Sequence, residues 1–369
     1  MLLDTVTMLK HGDRNGNGML LRFRLPSGLE IYGLPTPNFY EGEWDLGPTW
    51  NYLVLADEPF LVDAGRFGQT DLLTDMLAAV GFSPRDVRFV LLSHGHEDHD
   101  GGVAEFSARS GGRIVAHEIY DRLCRFYPDL AWTSSRKEYP ARCWNCFMPD
   151  WFVGKHCLAY HQANNRLKVE PIASESATLA RGVKAIHTPG HSPDALCLQL
   201  GDEVLLTGDT ILPEITPWPT TLKLGRRLKP VLKPGEESLF GLAAYLKTLK
   251  ELGTGLNGSL MVLPSHRLYY GEKWNEVVPG QRIEELISHH VQRCGDILKM
   301  LRDRPLTIRA VAEQYFPENQ LKGPGIFMAE NEVLSHLELM EVAGDVAALD
   351  GTSYSAMGSS AFERLIQSL

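Results

Sequence analysis

Short apolar runs punctuate this chain, and each stops abruptly at a polar loop. They read as strands over Tyr52–Ala56, Phe60–Asp63, Val87–Leu92, Val183–His187, Val204–Gly208 and Leu260–Pro264. In Tyr52–Ala56, Phe60–Val62, Val204–Leu206 and Leu260–Pro264 the apolar character is continuous rather than alternating, as strands covered on both faces require. Stretches with helical spacing lie between them: Thr70–Val80 closed by Gly81, Gly102–Ser110, and Ser238–Leu252. Residues 1–48 mix turn formers with short β-like runs such as Leu29-Glu-Ile-Tyr. Strands alternating with helices predict an α/β class.

The pattern changes after residue 277. Arg282–Leu301 places Ile283, Leu286, Ile287, Val291, Cys294, Leu298 and Leu301 on one helical face. Thr307 caps a second helix, Ile308–Tyr315, which Pro317 ends, and Glu330–Val342 reads as a third. Val346–Leu349 and Thr352–Ser355 flank Asp350-Gly351 as a small hairpin. The expected organisation is a catalytic domain over 1–277 and a helical, winged-helix-like domain over 278–369.

The ends of the apolar runs carry the chemistry. Phe89-Val-Leu-Leu-Ser leads into His94-Gly-His96-Glu-Asp98-His99, a dense set of metal-competent side chains. Three further runs deliver single ligands: His191 after Thr-Pro-Gly, Asp209 after Thr-Gly, and His266 after Pro-Ser. Imidazole and carboxylate suit zinc, and a catalytic zinc keeps a position open for water. Alone, His191 or Asp209 would read as an ordinary turn residue. The recurrence at strand ends argues against that reading for the set. His11, His117, His187, His289, His290 and His336 fall outside the pattern and read as surface or structural.

These motifs, in this order, resemble the metallo-β-lactamase superfamily over roughly residues 20–270. The resemblance implies an αββα sandwich and two divalent metal ions, zinc first, with iron or manganese as alternatives. His94, His96 and His191 would hold one ion, and Asp98, His99 and His266 the other. Asp209 would bridge them. Asp63, in Phe60-Leu-Val-Asp-Ala-Gly, would support the site from behind, and Asp98 would orient the nucleophile. His96 stands where the redox di-iron branch has Glu, which implies hydrolysis. Asp209 in place of Cys is similar to the glyoxalase II-like branch and departs from the zinc β-lactamases. Ile215-Thr-Pro…Trp218-Pro and the winged-helix-like tail resemble the lactamase-β-2-like subgroup.

Two segments bear on the substrate. The stretch from 117 to about 176 is long and aromatic, and reads as a cleft wall or as a satellite core. It carries Cys143-x-x-Cys146 and Cys157, a spacing a structural zinc could use, although one CxxC with an adjacent His156-Cys157 pair favours buried thiols. Trp218 and the basic residues Lys223, Arg226 and Arg227 are candidate contacts for an anionic small molecule such as the phosphates of coenzyme A. A solvated charged loop is the plain alternative.

Composition narrows the partners. The 369-residue chain has a net charge of −10, which argues against nucleic acid as the default ligand. Its third C-terminal helix is dominated by Glu330, Glu332, Glu338 and Glu341, so the tail is expected to cap the cleft or form a homodimer. No apolar run reaches a membrane span and no secretory h-region is visible. Six cysteines in this length do not suggest a disulfide framework, and a cytoplasmic enzyme is expected. The expected activity is thioester hydrolysis, with cleavage of an RNA phosphodiester as the alternative.

Overall fold

A computed structural model describes residues 2–38, 45–125, 147–173, 176–256, 260–350 and 353–369. The first sheet runs in chain order: β1 (Val6–Lys10), β2 (Leu20–Arg24), β3 (Glu30–Thr36), β4 (Thr49–Val54), β5 (Phe60–Val62), β6 (Phe89–Leu91), β7 (Arg113–His117) and β8 (Val169–Ile172). Pairing is antiparallel through β5 and parallel from β5 to β8. The second sheet has the order β13 (Met261–Pro264), β12 (Val204–Gly208), β11 (Leu196–Leu200), β10 (Val183–His187), β9 (Ser176–Ala180).

Three layers of apolar contact explain the continuous runs. Val62 and Leu91 face Leu198, Leu206 and Leu263 between the sheets. Their neighbours Leu61 and Val90 point outward onto Leu73, Leu77 and Phe106 of the helices Thr70–Ala79 and Val103–Ser110. On the other side, Leu205 and Val262 meet Leu246 and Leu249 of the helix Leu242–Gly255. The central strands β5, β6, β12 and β13 thus bury both faces, and an αββα sandwich results.

The C-terminal region joins this last layer. Leu286 and Cys294 of the helix Pro279–Asp303, and Val333 and Leu337 of the helix Gly325–Val342, belong to the same core as Val262. Between these helices lies Ile308–Tyr315, capped by Thr307 as its side chain accepts from Ala310 N. Leu306–Thr307, Ser353–Ala356 and Val346–Ala348 form a small three-stranded sheet in that order. Among the described residues no helix is long and apolar enough to cross a membrane.

Some boundaries depart from the sequence reading. The helix expected over Ser238–Leu252 starts at Leu242, after a 3-10 turn, Glu236–Leu239. Gly241 separates the two at φ +89°, and its N–H goes to Thr220 Oγ1 at 3.0 Å instead of continuing a helix. The third C-terminal helix begins at Gly325 rather than Glu330. Its acidic residues are not a uniformly solvated face: Glu332 and Glu338 are buried. Glu338 accepts from Leu222 N and Lys223 N at 2.6 and 2.7 Å, capping the helix Leu222–Leu228.

Candidate active site

All seven expected ligands come from loops at strand ends, and they meet. β6 is followed by the loop carrying His94 and His96, then by the short helix Glu97–Asp100 that carries Asp98 and His99. His191 follows β10, Asp209 follows β12 and His266 follows β13. His94, His96, His191 and Asp209 place one donor atom each within 4.8 Å of one another, and so do Asp98, His99 and His266. Asp209 joins the groups: its Oδ2 lies 3.9 Å from His94 Nε2, 3.5 Å from His191 Nε2 and 3.5 Å from His99 Nε2, and its Oδ1 lies 3.5 Å from His266 Nε2.

Outer hydrogen bonds fix which nitrogen faces inward. His191 Nδ1 donates to Trp218 O at 2.8 Å and His266 Nδ1 to Pro48 O at 3.2 Å. His99 Nδ1 donates to Asp63 Oδ2 at 2.9 Å. The Ser93 hydroxyl gives its proton to Asp63 Oδ2 at 2.8 Å, so its lone pair is left to receive His94 Nδ1–H at 3.0 Å. Four imidazoles therefore turn Nε2 toward the centre, the nitrogen that carries the lone pair when the ring is neutral. There His96 Nδ1 sits 2.8 Å from His94 Nε2 and 3.0 Å from His191 Nε2. One ring proton can satisfy one of those contacts and not both. Among the described residues His99 Nε2, His266 Nε2 and Asp209 Oδ1 are buried with no hydrogen-bond partner. Converging lone pairs and orphaned acceptors are the donor set of a cation site, and the clusters suit a dinuclear metal centre.

Electrostatics differ between the halves. Burial drives His94 and His191 below the ordinary imidazole range, and burial with His191 nearby takes His96 to about 3. Those rings are neutral, the ligating form. Burial also opposes charge on His99 and His266, but Asp98 and Asp209 overcome it, raising His99 well above the usual range and His266 to about 9. Burial likewise opposes ionisation of Asp209, yet the facing His266 and His99 hold it well below the carboxylate range.

Asp63 is fully buried behind this centre in the left-handed region, at φ +63°. Its Oδ1 accepts from Ser93 N at 2.7 Å. Asp98 is held from a distant part of the chain: its Oδ2 accepts from Asn38 Nδ2 at 2.8 Å and Thr49 Oγ1 at 2.9 Å. Both donors come from the loop between β3 and β4, or its end, and no sequence motif marks them.

The clusters open into a cavity of about 380 Å³. Met148, Phe152, His156, Cys157 and Tyr160 form one wall, so the described part of the aromatic segment does face the cleft. Cys157 is buried there, and Cys143 and Cys146 lie outside the described residues. Trp218 also lines the cavity, but Lys223, Arg226 and Arg227 are not among its lining residues. The Arg227 guanidinium instead sits 5.0 Å from the Phe147 ring centroid. The cations that do line the cavity are Arg267 and Arg293, with His289 beside them. In the sequence His289 reads as surface or structural. The helical register that pairs it with Arg293 is visible there, but its destination is not. The other histidines outside the ligand pattern are structural where buried: His117 stacks on His187 with centroids 3.8 Å apart, and His290 Nδ1 meets His336 Nε2 at 3.0 Å.

Comparison with known proteins agrees with this architecture. Residues 44–266, well over half of the chain, match the Metallo-beta-lactamase superfamily. A Drosophila melanogaster protein named Beta-lactamase-like protein 2 homolog is 24% identical over 257 residues, 68% of each chain. An atrochrysone carboxyl ACP thioesterase of Passalora fulva is 31% identical over 179 residues, 46% of this chain and 40% of that one. The crystal structure of a metallo-beta-lactamase family protein from Thermus thermophilus superposes with a TM-score of 0.63 at 25% identity, over 88% of this chain and 98% of that one. With the motifs, the sandwich and the paired clusters in place, the chain belongs to the metallo-beta-lactamase superfamily of metal-binding hydrolases.

Proposed function

We propose that this protein hydrolyses thioesters of apolar acyl groups, an acyl-CoA being the representative substrate, with two divalent metal ions, zinc first. The observation that carries this reading is a single cavity with the ligand clusters in one wall and Phe152, Leu212, Ile215, Trp218 and Met328 in others. Such a space suits an acyl chain next to an electrophilic carbonyl. The resemblance to a named thioesterase points the same way.

In this reading His94, His96 and His191 hold one ion, Asp98, His99 and His266 the other, and Asp209 reaches both. When bound, such a metal pair supplies a hydroxide at neutral pH and polarises the carbonyl under attack. The chain's own residues do the rest. Asp98, clamped by Asn38 and Thr49, orients the attacking water and carries its proton toward the leaving sulfur. Asp63 keeps His99 in the tautomer that presents Nε2. Trp218 and Ile215 exclude bulk water from the acyl end. In this reading Lys223, Arg226 and Arg227, which lie off the cavity lining, would meet an anionic portion of the substrate outside it.

The C-terminal helical region is read as winged-helix-like, the feature that would favour RNA cleavage. Yet the helix Gly325–Val342 carries no lysine or arginine, and two of its glutamates are buried in bonds to other elements. A cleft-capping role fits better, and the protein is read as a cytoplasmic enzyme. The test is thiol release from acyl-CoA and acyl-glutathione panels by the metal-loaded protein, with a structured RNA in parallel. Release confined to thioesters supports the proposal. RNA cleavage with no thiol release overturns it.

A further inference from the structure

The active-site cavity has a second polar region, built by the C-terminal helices and unrelated to the metal ligands. Arg293 lies in the helix Pro279–Asp303 and is 8% exposed. Its Nη1 pairs with Glu332 Oε1, from the helix Gly325–Val342. Its guanidinium carbon lies 5.2 and 5.3 Å from the ring centroids of Tyr315 and Phe316. Rings and carboxylate together hold the fork rigid. Its Nε–H nonetheless has no acceptor among the described residues. His289 is four residues earlier and so on the same helical face. Its Nε2 is also buried without a partner. Arg293, Glu332 and His289 line the same cavity as His96, His191, Asp209 and His266.

Buried donors and acceptors are normally paired, and cavity-lining residues that carry unpaired ones are where a ligand can complete the set. We propose that Arg293, Glu332 and His289 form a subsite that recognises a neutral hydrogen-bonding group, a carboxamide, on the arm of the substrate remote from the scissile carbonyl. The inference rests on the hydrolase reading above. Charge decides the class. Arg293 and Glu332 sum to no net charge, so a carboxylate that gained the guanidinium would also meet Glu332. A methyl terminus would leave the Arg293 Nε–H and His289 Nε2 unmet. A carboxamide offers its oxygen to Arg293 Nε–H and its N–H to Glu332 or to His289. Burial and Arg293 lower His289 to about 4, so the ring is neutral and able to accept.

The test uses aryl thioesters whose acyl arms end in methyl, hydroxyl, carboxamide or carboxylate, matched at several chain lengths. The metal-loaded protein is expected to favour carboxamide over methyl by at least about tenfold in kcat/KM at the fitting length, chiefly through KM. In the double variant Arg293→Met, Glu332→Met, which removes both charges together, that ratio should fall toward one. His289→Ala should reduce it in part. Reading the ratio within each variant cancels any loss of active protein. A preference for carboxylate or methyl in the wild type, or a ratio unchanged in the double variant, would overturn the proposal. If no thioester turned over, the proposed function would fall instead. The subsite would then be judged on calorimetric Kd values for the corresponding free acids, with equal affinity for carboxamide-ended and methyl-ended acids counting against it.

Discussion

Replacing Asp63 by Asn or Ala tests whether the centre depends on the residue behind it. Asp63 receives three protons on two oxygens: Ser93 N–H at 2.7 Å on Oδ1, and Ser93 O–H at 2.8 Å with His99 Nδ1–H at 2.9 Å on Oδ2. All of these groups are buried. In Asp63→Asn the new amide oxygen can keep the Oδ2 pair, but its NH₂ then faces the Ser93 N–H. One donor is left unmet, at a cost of about 1–3 kcal/mol. Asp63→Ala leaves all three unmet, roughly 3–9 kcal/mol. Alanine also fits the left-handed backbone at φ +63° less well than asparagine does. Since Asp63→Ala also removes the acceptor that sets which nitrogen His99 offers, metal affinity at the second cluster should fall about 10–100-fold in that variant and stay closer to wild type in Asp63→Asn. Melting temperature and zinc affinity by chelator competition measure the two effects separately. Asp63→Ala with wild-type zinc affinity would refute the claim that Asp63 fixes the His99 tautomer. A melting point unchanged in Asp63→Ala would refute the accounting of the buried donors.

Asp209→Ala, which removes the carboxylate nearest both clusters, should reduce bound metal below two per chain and abolish hydrolysis; full stoichiometry by elemental analysis would exclude the bridging assignment. Gly190→Ala should destabilise the fold and displace the neighbouring His191, because a Cβ there, at φ +129°, would lie 2.3 Å from Tyr245 Cα; a crystal structure with His191 unmoved would contradict this. Burial pushes Glu338 up to about 7 from an ordinary carboxyl value near 4.5, so the fold holds its proton more tightly than the unfolded chain does. Its stabilising contribution is complete below about 4.5 and lost as pH rises through about 7, so the melting temperature of Glu338→Gln relative to wild type should rise between pH 5.5 and 8; a flat difference would count against it. Replacing Lys223, Arg226 and Arg227 together should raise KM for CoA thioesters and not for short aryl thioesters, and an equal effect on both would remove these residues from substrate binding.

Much of the site was legible because its ligands are local in sequence. His94, His96, Asp98 and His99 fall within one loop. Asp209 and His266 each follow a run apolar enough to mark a buried strand, and His191 follows the strand Val183–His187 after a Thr-Pro-Gly turn. The strand cores needed no structure either: Leu61 and Val62, or Leu205 and Leu206, face opposite sides of a sheet, so a run apolar at every position has to be covered twice. Ser93 was in view beside His94, although its bond to Asp63 was not. Asn38 and Thr49 were not legible, because polar residues in or beside a loop carry no periodic signal and their partner Asp98 is distant in the chain.

The sequence by itself determined the α/β class, the αββα layering implied by the resemblance, and the identity of the seven metal-competent side chains. These follow from short-range patterns, where period and spacing report directly on burial. Only the tertiary structure decided that Lys223, Arg226 and Arg227 lie off the cavity, that Glu332 and Glu338 are buried partners rather than a solvated face, and that Arg293 and His289 share a cavity with the metal ligands. Those outcomes depend on how the C-terminal helices pack against the second sheet's outer layer. A helix reveals which face is apolar, but not what its polar residues will meet across the interface.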